Sequence, residues 1–342
     1  MSLKNLNVSK KTHKFLLDKL KDKRTLQIYK KFESNLPIKK NFIVAVSGGP
    51  DSMALAFLSQ VYAIKNNLVP KFLIVDHKLR KESTAEARKV HRVLKKFKIN
   101  AEILTWKGKK PNKNIQALAR KKRYDLLISK CKQYKIDEIF LGHQQGDLIE
   151  NFFIRMFRGA GLKGLVSLDK KSKFGNINLI RPLLNEKKAD LEFLSQNVFQ
   201  FYIEDPSNKN EKFQRIKIRK LIETFKINDL DKKKFVNTLK KLKQSDNVVS
   251  FYVKQNFAKN TFYLSKNNKL ILNKFFFQQP YEVIFRTLSE SIQLIGKKHY
   301  SARGKKLDRI IGIIKNNQDF KSTLGGCLIE KVNQTVIISQ EY

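Results

Sequence analysis

The chain has 342 residues, with 71 Lys and Arg against 30 Asp and Glu, a formal net charge of +41, and 41% hydrophobic residues. The charge excludes an acidic surface, the length excludes a small disulfide-stapled module, and the apolar content excludes a disordered basic tail. Polyanions such as nucleic acid or phosphate-rich ligands are the expected partners, and the length suggests two domains at roughly 100–200 residues each.

In chain order, Met1 to Lys14 is polar and basic, without the apolar core of a signal peptide. Phe42 to Val46 is a short apolar run that ends in a Gly-rich turn, and Met53 to Ile64 reads as a helix. Phe72 to Val75 is a second apolar run, closed by Asp76-His77. A helix from Thr84 to Phe97 follows, with a capping-box pattern of Ser83 and Glu86 at its start. Ala101 to Trp106 is a third strand, Asn114 to Tyr134 a helix, Glu138 to Leu141 a fourth strand ending at Gly142-His143, and Asp147 to Phe157 a further helix. Short continuous apolar strands alternating with helices predict a doubly wound, mostly parallel α/β sheet covered on both faces. Ligands of such sheets sit outside the carboxyl ends of the strands, so Ser47, Asp76-His77, Trp106 and His143 are expected to line one crevice.

After about Asp205 the alternation stops. Gln214 to Phe225 and Lys233 to Phe257 read as basic helices, and Lys321–Leu324, Cys327–Lys331 and Thr335–Ser339 as strands of a smaller α/β domain. The expected division is a larger domain over 1–219 and a smaller α/β domain over 220–342. Nowhere do ~18 apolar residues run uninterrupted, so no membrane span is expected. Two distant cysteines, Cys131 and Cys327, without a CxxC pair, fit a reducing cytoplasm and argue against structural zinc or an iron–sulfur centre.

The most informative segment is Ser47-Gly48-Gly49-Pro50-Asp51-Ser52, between the first strand and its helix. Two glycines let the backbone turn tightly and present N–H groups to an anion, and the helix that follows adds its positive end. Ser47 and Ser52 can donate hydroxyl hydrogen bonds. Asp51 would be repelled by bare phosphate, so it implies an intervening cation, Mg2+ above all, with Asp51 as its ligand. There is no GxxxxGK[ST], which separates this loop from a Walker loop.

The hexapeptide resembles the PP-loop of the N-type ATP pyrophosphatases, which cleave ATP between its α- and β-phosphates and adenylate a carbonyl or carboxyl oxygen. Further segments resemble the tRNA(Ile)-lysidine synthetase family. They are Val75-Asp76-His77-Lys78-Leu79-Arg80 with Ser83 and Glu86-Ala87; Asn114-Ile115-Gln116 through Ala119-Arg120 to Arg123-Tyr124; and Gly142-His143 with Asp147 and Glu150. Arg155, the run Arg158-Gly159-Ala160-Gly161-Leu162, Arg181-Pro182-Leu183-Leu184, Glu204-Asp205-Pro206-Ser207-Asn208 with Arg215 and Arg219, and Thr323-Leu324-Gly325-Gly326-Cys327 continue the series in the same order. Gly146 departs from it, standing where the family has the first of two aspartates, as does Asn151, which replaces a Thr.

The resemblance implies ligation of free L-lysine to C2 of the wobble cytidine of a CAU-anticodon tRNA(Ile), with ATP cleaved to AMP and pyrophosphate and Mg2+ as cofactor, and a homodimer is the assembly common in such families. It implies an ATP site of Ser47, Gly48, Gly49, Pro50, Asp51, Ser52, Asp76, His77 and Arg120. Asp51, His143, Asp147, Glu150 and Arg158 are the catalytic candidates, the three in the middle as a cluster to bind the lysine ammonium or accept its proton. Arg155, Lys163, Arg215, Lys217 and Arg219 are the candidate tRNA contacts. A PP-loop tRNA thiolase and a basic tRNA-binding protein without activity are the alternatives. The first needs paired cysteines, and the second turns on Gly146.

Overall fold

The computed structural model describes residues 14–36, 40–108, 115–204, 214–227, 232–298, 304–316 and 320–341. Asn114 and the Asp205–Asn208 part of the Glu204 motif lie outside the described residues. They divide into two compact units, Met1–Val236 and Asn237–Tyr342.

The first unit runs α1 (Lys23–Ser34), β1 (Ile43–Val46), α2 (Pro50–Asn66), β2 (Lys71–Asp76), α3 (Ser83–Lys96), β3 (Ala101–Thr105), α4 (Ile115–Tyr134), β4 (Glu138–Phe140), α5 (Gln145–Met156), α6 (Leu162–Leu165), β5 (Lys171–Phe174), β6 (Ile177–Ile180), α7 (Lys188–Phe199) and α8 (Gln214–Ile227). The sheet order is β3-β2-β1-β4-β6-β5. All neighbours are parallel except β5 and β6, which form an antiparallel edge hairpin. The four expected strands are present. The hairpin adds two, β5, the polar, mostly exposed KSKF that composition hides, and β6, the short, mostly buried INLI.

The chain leaves β1 towards β2 on one side and reaches β4 on the other, so the strand order reverses at β1/β4 and opens a crevice at the carboxyl ends there. Residues 52–58 of α2 are all buried, and Met53, Leu55, Phe57 and Leu58 pack into the core that also holds Leu191 and Leu194 of α7. A helix apolar on every side needs cover on every side, and α7 supplies what the sheet cannot. Ser195 of α7 also donates its hydroxyl to Pro50 O at 2.6 Å, fixing the start of α2.

The capping box expected at Ser83 and Glu86 is absent. Ser83 is the first residue of α3, its hydroxyl sits 3.1 Å from Asp76 Oδ1 and 2.9 Å from Arg80 O, and Glu86 pairs with Arg80 at 2.9 Å. A capping box forms instead at α5. Gly146 N donates to Gln144 Oε1 at 2.6 Å, and Gln144 N donates to Asp147 Oδ2 at 2.9 Å.

The second unit holds most of the long helix α9 (Lys232–Asn260), then β7 (Thr261–Leu264), β8 (Lys269–Leu272), α10 (Tyr281–Ile295), α11 (Gly304–Lys315), β9 (Lys321–Leu324), β10 (Cys327–Val332) and β11 (Thr335–Gln340). Its sheet is antiparallel, in the order β7-β8-β11-β10-β9. One face packs on α10 and α11 through Leu270, Ile329, Ile338, Ile284, Leu288 and Ile311. Arg286, 4% exposed, is neutralised by Asp246 at 2.6 Å and Glu282 at 2.7 Å. No helix among the described residues is long and apolar enough to cross a membrane.

The division expected at 219/220 falls inside α8 and moves to Val236. Ile218 and Ile222 of α8 and Val236 of α9 form one apolar cluster with Ile149 and Phe153 of α5, so α8 belongs to the first unit. A fragment of residues 1–236 is therefore expected to unfold in one cooperative transition. A fragment ending at 219 loses Ile222 and Val236 and should be less stable by at least about 2 kcal/mol in urea titration.

Candidate functional site

The site begins at the turn from β1 into α2. Gly48 has φ +92°, a left-handed conformation, and a Cβ there would lie 2.6 Å from Val90 Cγ2 and 3.0 Å from Ile203 Cδ1. Gly49 caps α2, and Pro50 begins it with the φ that a first turn requires. The Ser52 hydroxyl ties the turn together. It lies 3.1 Å from Ser47 N, 3.0 Å from Gly48 N and 3.2 Å from Ser47 Oγ, and donates to Gly49 O at 2.9 Å. Ser52 is 6% exposed and its single proton is used inside the loop, so it shapes the phosphate cradle, and the expected hydroxyl donation to a ligand is not available from it. Ile203 N closes the turn from the other side by donating to Gly48 O at 2.9 Å.

Around this turn lies a pocket of about 610 Å3, the size range of a bound nucleotide. Its walls are the carboxyl ends of β1, β2 and β4. Ser47, Gly49, Asp51 and Ser52 line it from the turn, His77, Arg80 and Ser83 from the segment after β2, Arg123 and Tyr124 from α4, and Gly142, His143 and Asp147 from the segment after β4. Gly142 is needed for closeness, since a Cβ there would sit 3.2 Å from the backbone N of Ser52. Trp106, expected on the same wall, is outside the lining. It is 8% exposed, and its backbone N–H donates to Asp76 O.

Asp51 Oδ1 is buried without a hydrogen-bond partner. Burial, followed by the charge of Asp147, pushes its pKa up to about 7, with Lys188 and Arg219 pulling the other way. Burial also raises Asp147. Two carboxylates that repel each other beside an anion cradle fit a divalent cation shared with phosphate oxygens. Among the described residues no cluster of three or more His, Cys, Asp or Glu is placed to hold a metal by itself, so phosphate oxygens would have to complete the shell. Both histidines of the pocket are pushed towards the neutral form. Burial and then Arg181, Arg120, Arg123 and Arg215 push His143 down to about 3, while burial and Arg123 lower His77. Each Nδ1 is buried and unpartnered.

The chain's likenesses agree with this geometry. A family profile described as the PP-loop domain matches residues 18–225. The tRNA(Ile)-lysidine synthase of Wolbachia sp. subsp. Brugia malayi is 31% identical over 301 residues, covering 87% of this chain and 70% of that protein. The protein of the same name from Orientia tsutsugamushi is 34% identical, covering 87% and 69%, and that from Rickettsia bellii 31%, covering 92% and 74%. The chain belongs to the tRNA(Ile)-lysidine synthase family. The fold is shared more widely: the U34-tRNA thiolase NcsA from Methanococcus maripaludis superposes with a TM-score of 0.56 at 16% identity, over 64% of this chain and 78% of that one.

Several residues singled out by this family's motifs stand elsewhere than expected. Asp76 is 2% exposed, and both its oxygens are used within the chain: Oδ1 accepts from Lys78 N at 3.0 Å and lies beside Ser83 Oγ, and Oδ2 accepts from Thr84 Oγ1 at 2.7 Å. It anchors the segment that carries His77 and does not line the pocket. Arg120 is exposed, points to Tyr124 OH at 3.3 Å, and is also outside the lining, whereas Arg123, one turn on, is in it. Glu150, 6% exposed, is held by Arg219, with Oε1 2.6 Å from Nε and Oε2 3.3 Å from Nη2. That pair joins α5 to α8, so Glu150 is not an open carboxylate for a lysine ammonium, and Arg219 is not an open cation for tRNA. Arg158 donates to Gln214 Oε1 at 2.6 Å on the exposed side. Arg155, Lys163, Arg215 and Lys217 are exposed, as a backbone contact requires. At Gly146 a Cβ would meet Gln144 Nε2 at 2.9 Å, so the missing aspartate and the Gln144 cap are one local solution.

Asp51 carries a stability signature. Its folded pKa lies above the unfolded 3.8, so it favours folding at low pH, and that favour is lost as pH rises through about 7. In EDTA, Asp51→Asn is expected to match the parent near pH 4 and to exceed it by up to about 4 kcal/mol at pH 8. Equal stabilities at pH 8 by urea titration would remove the charge strain. Gly48→Ala should cost about 1–3 kcal/mol and Gly49→Ala, with nothing within 4 Å, clearly less.

Proposed function

We propose that this chain uses ATP to ligate free L-lysine to C2 of the wobble cytidine of a CAU-anticodon tRNA(Ile), in the cytoplasm. The observation that carries the reading is the unpaired Asp51 carboxylate beside the Gly48-Gly49 turn, in a chain whose relatives bear this activity's name. With the N–H groups of Ser47 and Gly48 taken by Ser52 Oγ, the pyrophosphate half of ATP is received by the positive end of α2 and the rest of the turn, at Gly49 and Asp51. Asp51 would hold Mg2+, which offsets phosphate charge.

In the first step the cytidine O2 attacks the α-phosphorus, and the bond to the pyrophosphate oxygen breaks with its electron pair leaving on pyrophosphate. In the second step the lysine ε-amine attacks C2, a proton leaves the nitrogen, and the C2–O bond breaks to release AMP. The proton acceptor must hold a proton near pH 7. A His143 pushed down to about 3 does not, so we assign it to hydrogen bonding with the nucleotide or the base. Asp147 lines the same pocket, and burial raises its proton affinity, so we assign the acceptor's part to it and leave the cation to Asp51.

Sulfur transfer is not favoured. Cys131 and Cys327 are both buried, stand in different units, and are pushed by burial up to about 11, so neither offers a thiolate.

Labelled lysine should enter isoleucine tRNA only with ATP present, and folded protein that incorporates none would refute the reading. Asp51→Ala should lower incorporation at least ~100-fold with tRNA affinity unchanged. Lys217→Gln should weaken tRNA binding and reduce the salt slope by about one, whereas Arg219→Gln should chiefly lower thermal stability by stranding Glu150.

A further inference from the structure

The far end of α5 carries an aromatic column that stops in the open. The rings of Phe235 and Phe153 stack with centroids 5.4 Å apart and planes 13° from parallel, and Phe153 faces Phe157 at 6.3 Å and 27°. Phe153 belongs to the apolar cluster of α5, α8 and α9, with Phe235 packed against it. Phe157, the outermost ring, is 58% exposed. Its one ring partner among the described residues is Phe153, so its other face meets water. A single exposed apolar side chain is ordinary on a protein surface. This one stands among cations. Arg155 and Arg158 flank it, both exposed, and Arg158 donates to Gln214 Oε1 at 2.6 Å, which brings the start of α8, with exposed Arg215 and Lys217, up to it. No Asp or Glu occurs from Asn151 to Leu168 or from Gln214 to Ile222. A second copy of a chain of net charge +41 would bring cations against cations, and a lipid surface takes a broader apolar face than this. A nucleobase fits both features, with a flat π face for the ring and a phosphodiester on each side for the arginines.

Resting on the proposed ligation at a wobble cytidine, we infer that Phe157 is the stacking platform for an unpaired anticodon-loop base that neighbours the target cytidine. At roughly 1.5 Å of rise per residue, α5 sets Phe157 about 15 Å from Asp147, which lines the pocket. The target base has to leave its stack and enter that pocket to be activated. Phe157 stands a helix length away from it and serves another base of the same loop. Bases of single-stranded loops are recognised splayed out and stacked on aromatic side chains. Arg155 and Arg158 take the phosphates on either side, and the base between them continues the Phe235–Phe153–Phe157 column. Stacking there holds the loop open while the cytidine occupies the pocket. Phe157 touches no reacting atom, so it is a positioning residue, and its contribution falls on tRNA binding.

The test measures binding of the whole protein, without ATP or lysine, to anticodon stem-loop RNAs in which each loop nucleotide other than the wobble cytidine is made abasic in turn. For the parent, one abasic position should weaken binding at least about fivefold. Phe157→Ala should weaken binding of the intact RNA by a similar factor, and in that variant the same abasic position should cost less than about twofold. Phe157→Trp should bind within about twofold of the parent or more tightly, because its ring offers a larger face. The slope of log affinity against log salt should be unchanged in both variants, since no phosphate contact is lost, in contrast to Lys217→Gln. The melting temperature should also stay near the parent's, because most of the ring is already in water. In lysine incorporation, Phe157→Ala should raise KM for tRNA and leave kcat near the parent's. Unweakened binding by Phe157→Ala, abasic penalties that persist in it, or a loss that Phe157→Trp does not restore overturns the assignment. So does a variant that keeps its RNA affinity but loses self-association in sedimentation or binding to phosphatidylglycerol vesicles. A parent that binds the RNA but incorporates no lysine removes the ligation reading, while the abasic series still decides whether Phe157 stacks a base. An active parent beside an unaffected Phe157→Ala sinks this assignment alone.

Discussion

The turn between β1 and α2 is held by one hydroxyl, and the site depends on it. Ser52 Oγ gathers the N–H groups of Ser47 and Gly48 and returns its proton to Gly49 O, so four residues are locked into the curve that leaves Gly49 and Asp51 on the pocket. The cost is met elsewhere: Gly48 in a left-handed conformation, Gly142 to let the segment after β4 approach, and α7 to cover the far side of α2. The result is a rigid floor bearing a carboxylate that is half-buried and repelled by Asp147. A fold does not keep such a group for stability. The strain has a use if a cation and a polyphosphate complete the arrangement.

Much of this was legible in the residues. Short apolar runs between amphipathic helices predict the parallel strands β1 to β4, and the SGGPDS spacing predicts the turn, because strand period and glycine geometry are local properties. What local reading could not supply was the use of each polar atom. Asp76 reads as a ligand at a strand end, yet Ser83 and Thr84 lie a few residues downstream and claim both its oxygens. Glu150 and Arg219 are 69 residues apart, and only the packing of Ile218 and Ile222 on Ile149 and Phe153 makes them a pair. Arg120 and Arg123 stand one turn apart on the same side of α4, and which turn meets the crevice is a matter of packing that the Lys/Arg-rich run 120–123 does not reveal.

The same lesson refines the meaning of the +41 charge. Its sum points to polyanions, but its members act in different ways. Arg219, Arg181 and Arg286 are spent on internal acceptors, Arg123 faces a pocket, and Arg155, Lys163, Arg215 and Lys217 stand exposed. Long-range attraction of nucleic acid is a property of the whole surface. Chemistry at one nucleotide is a property of the few charges that the fold withdraws from water.

The most direct test of the two-step account is a single-turnover measurement of pyrophosphate with enzyme, ATP and the CAU-anticodon tRNA, first without lysine and then with it. A tRNA-dependent burst that stops at no more than one pyrophosphate per tRNA, with AMP appearing only when lysine is added, is the predicted result. Pyrophosphate release that needs no tRNA, or AMP release that ignores lysine, would contradict it.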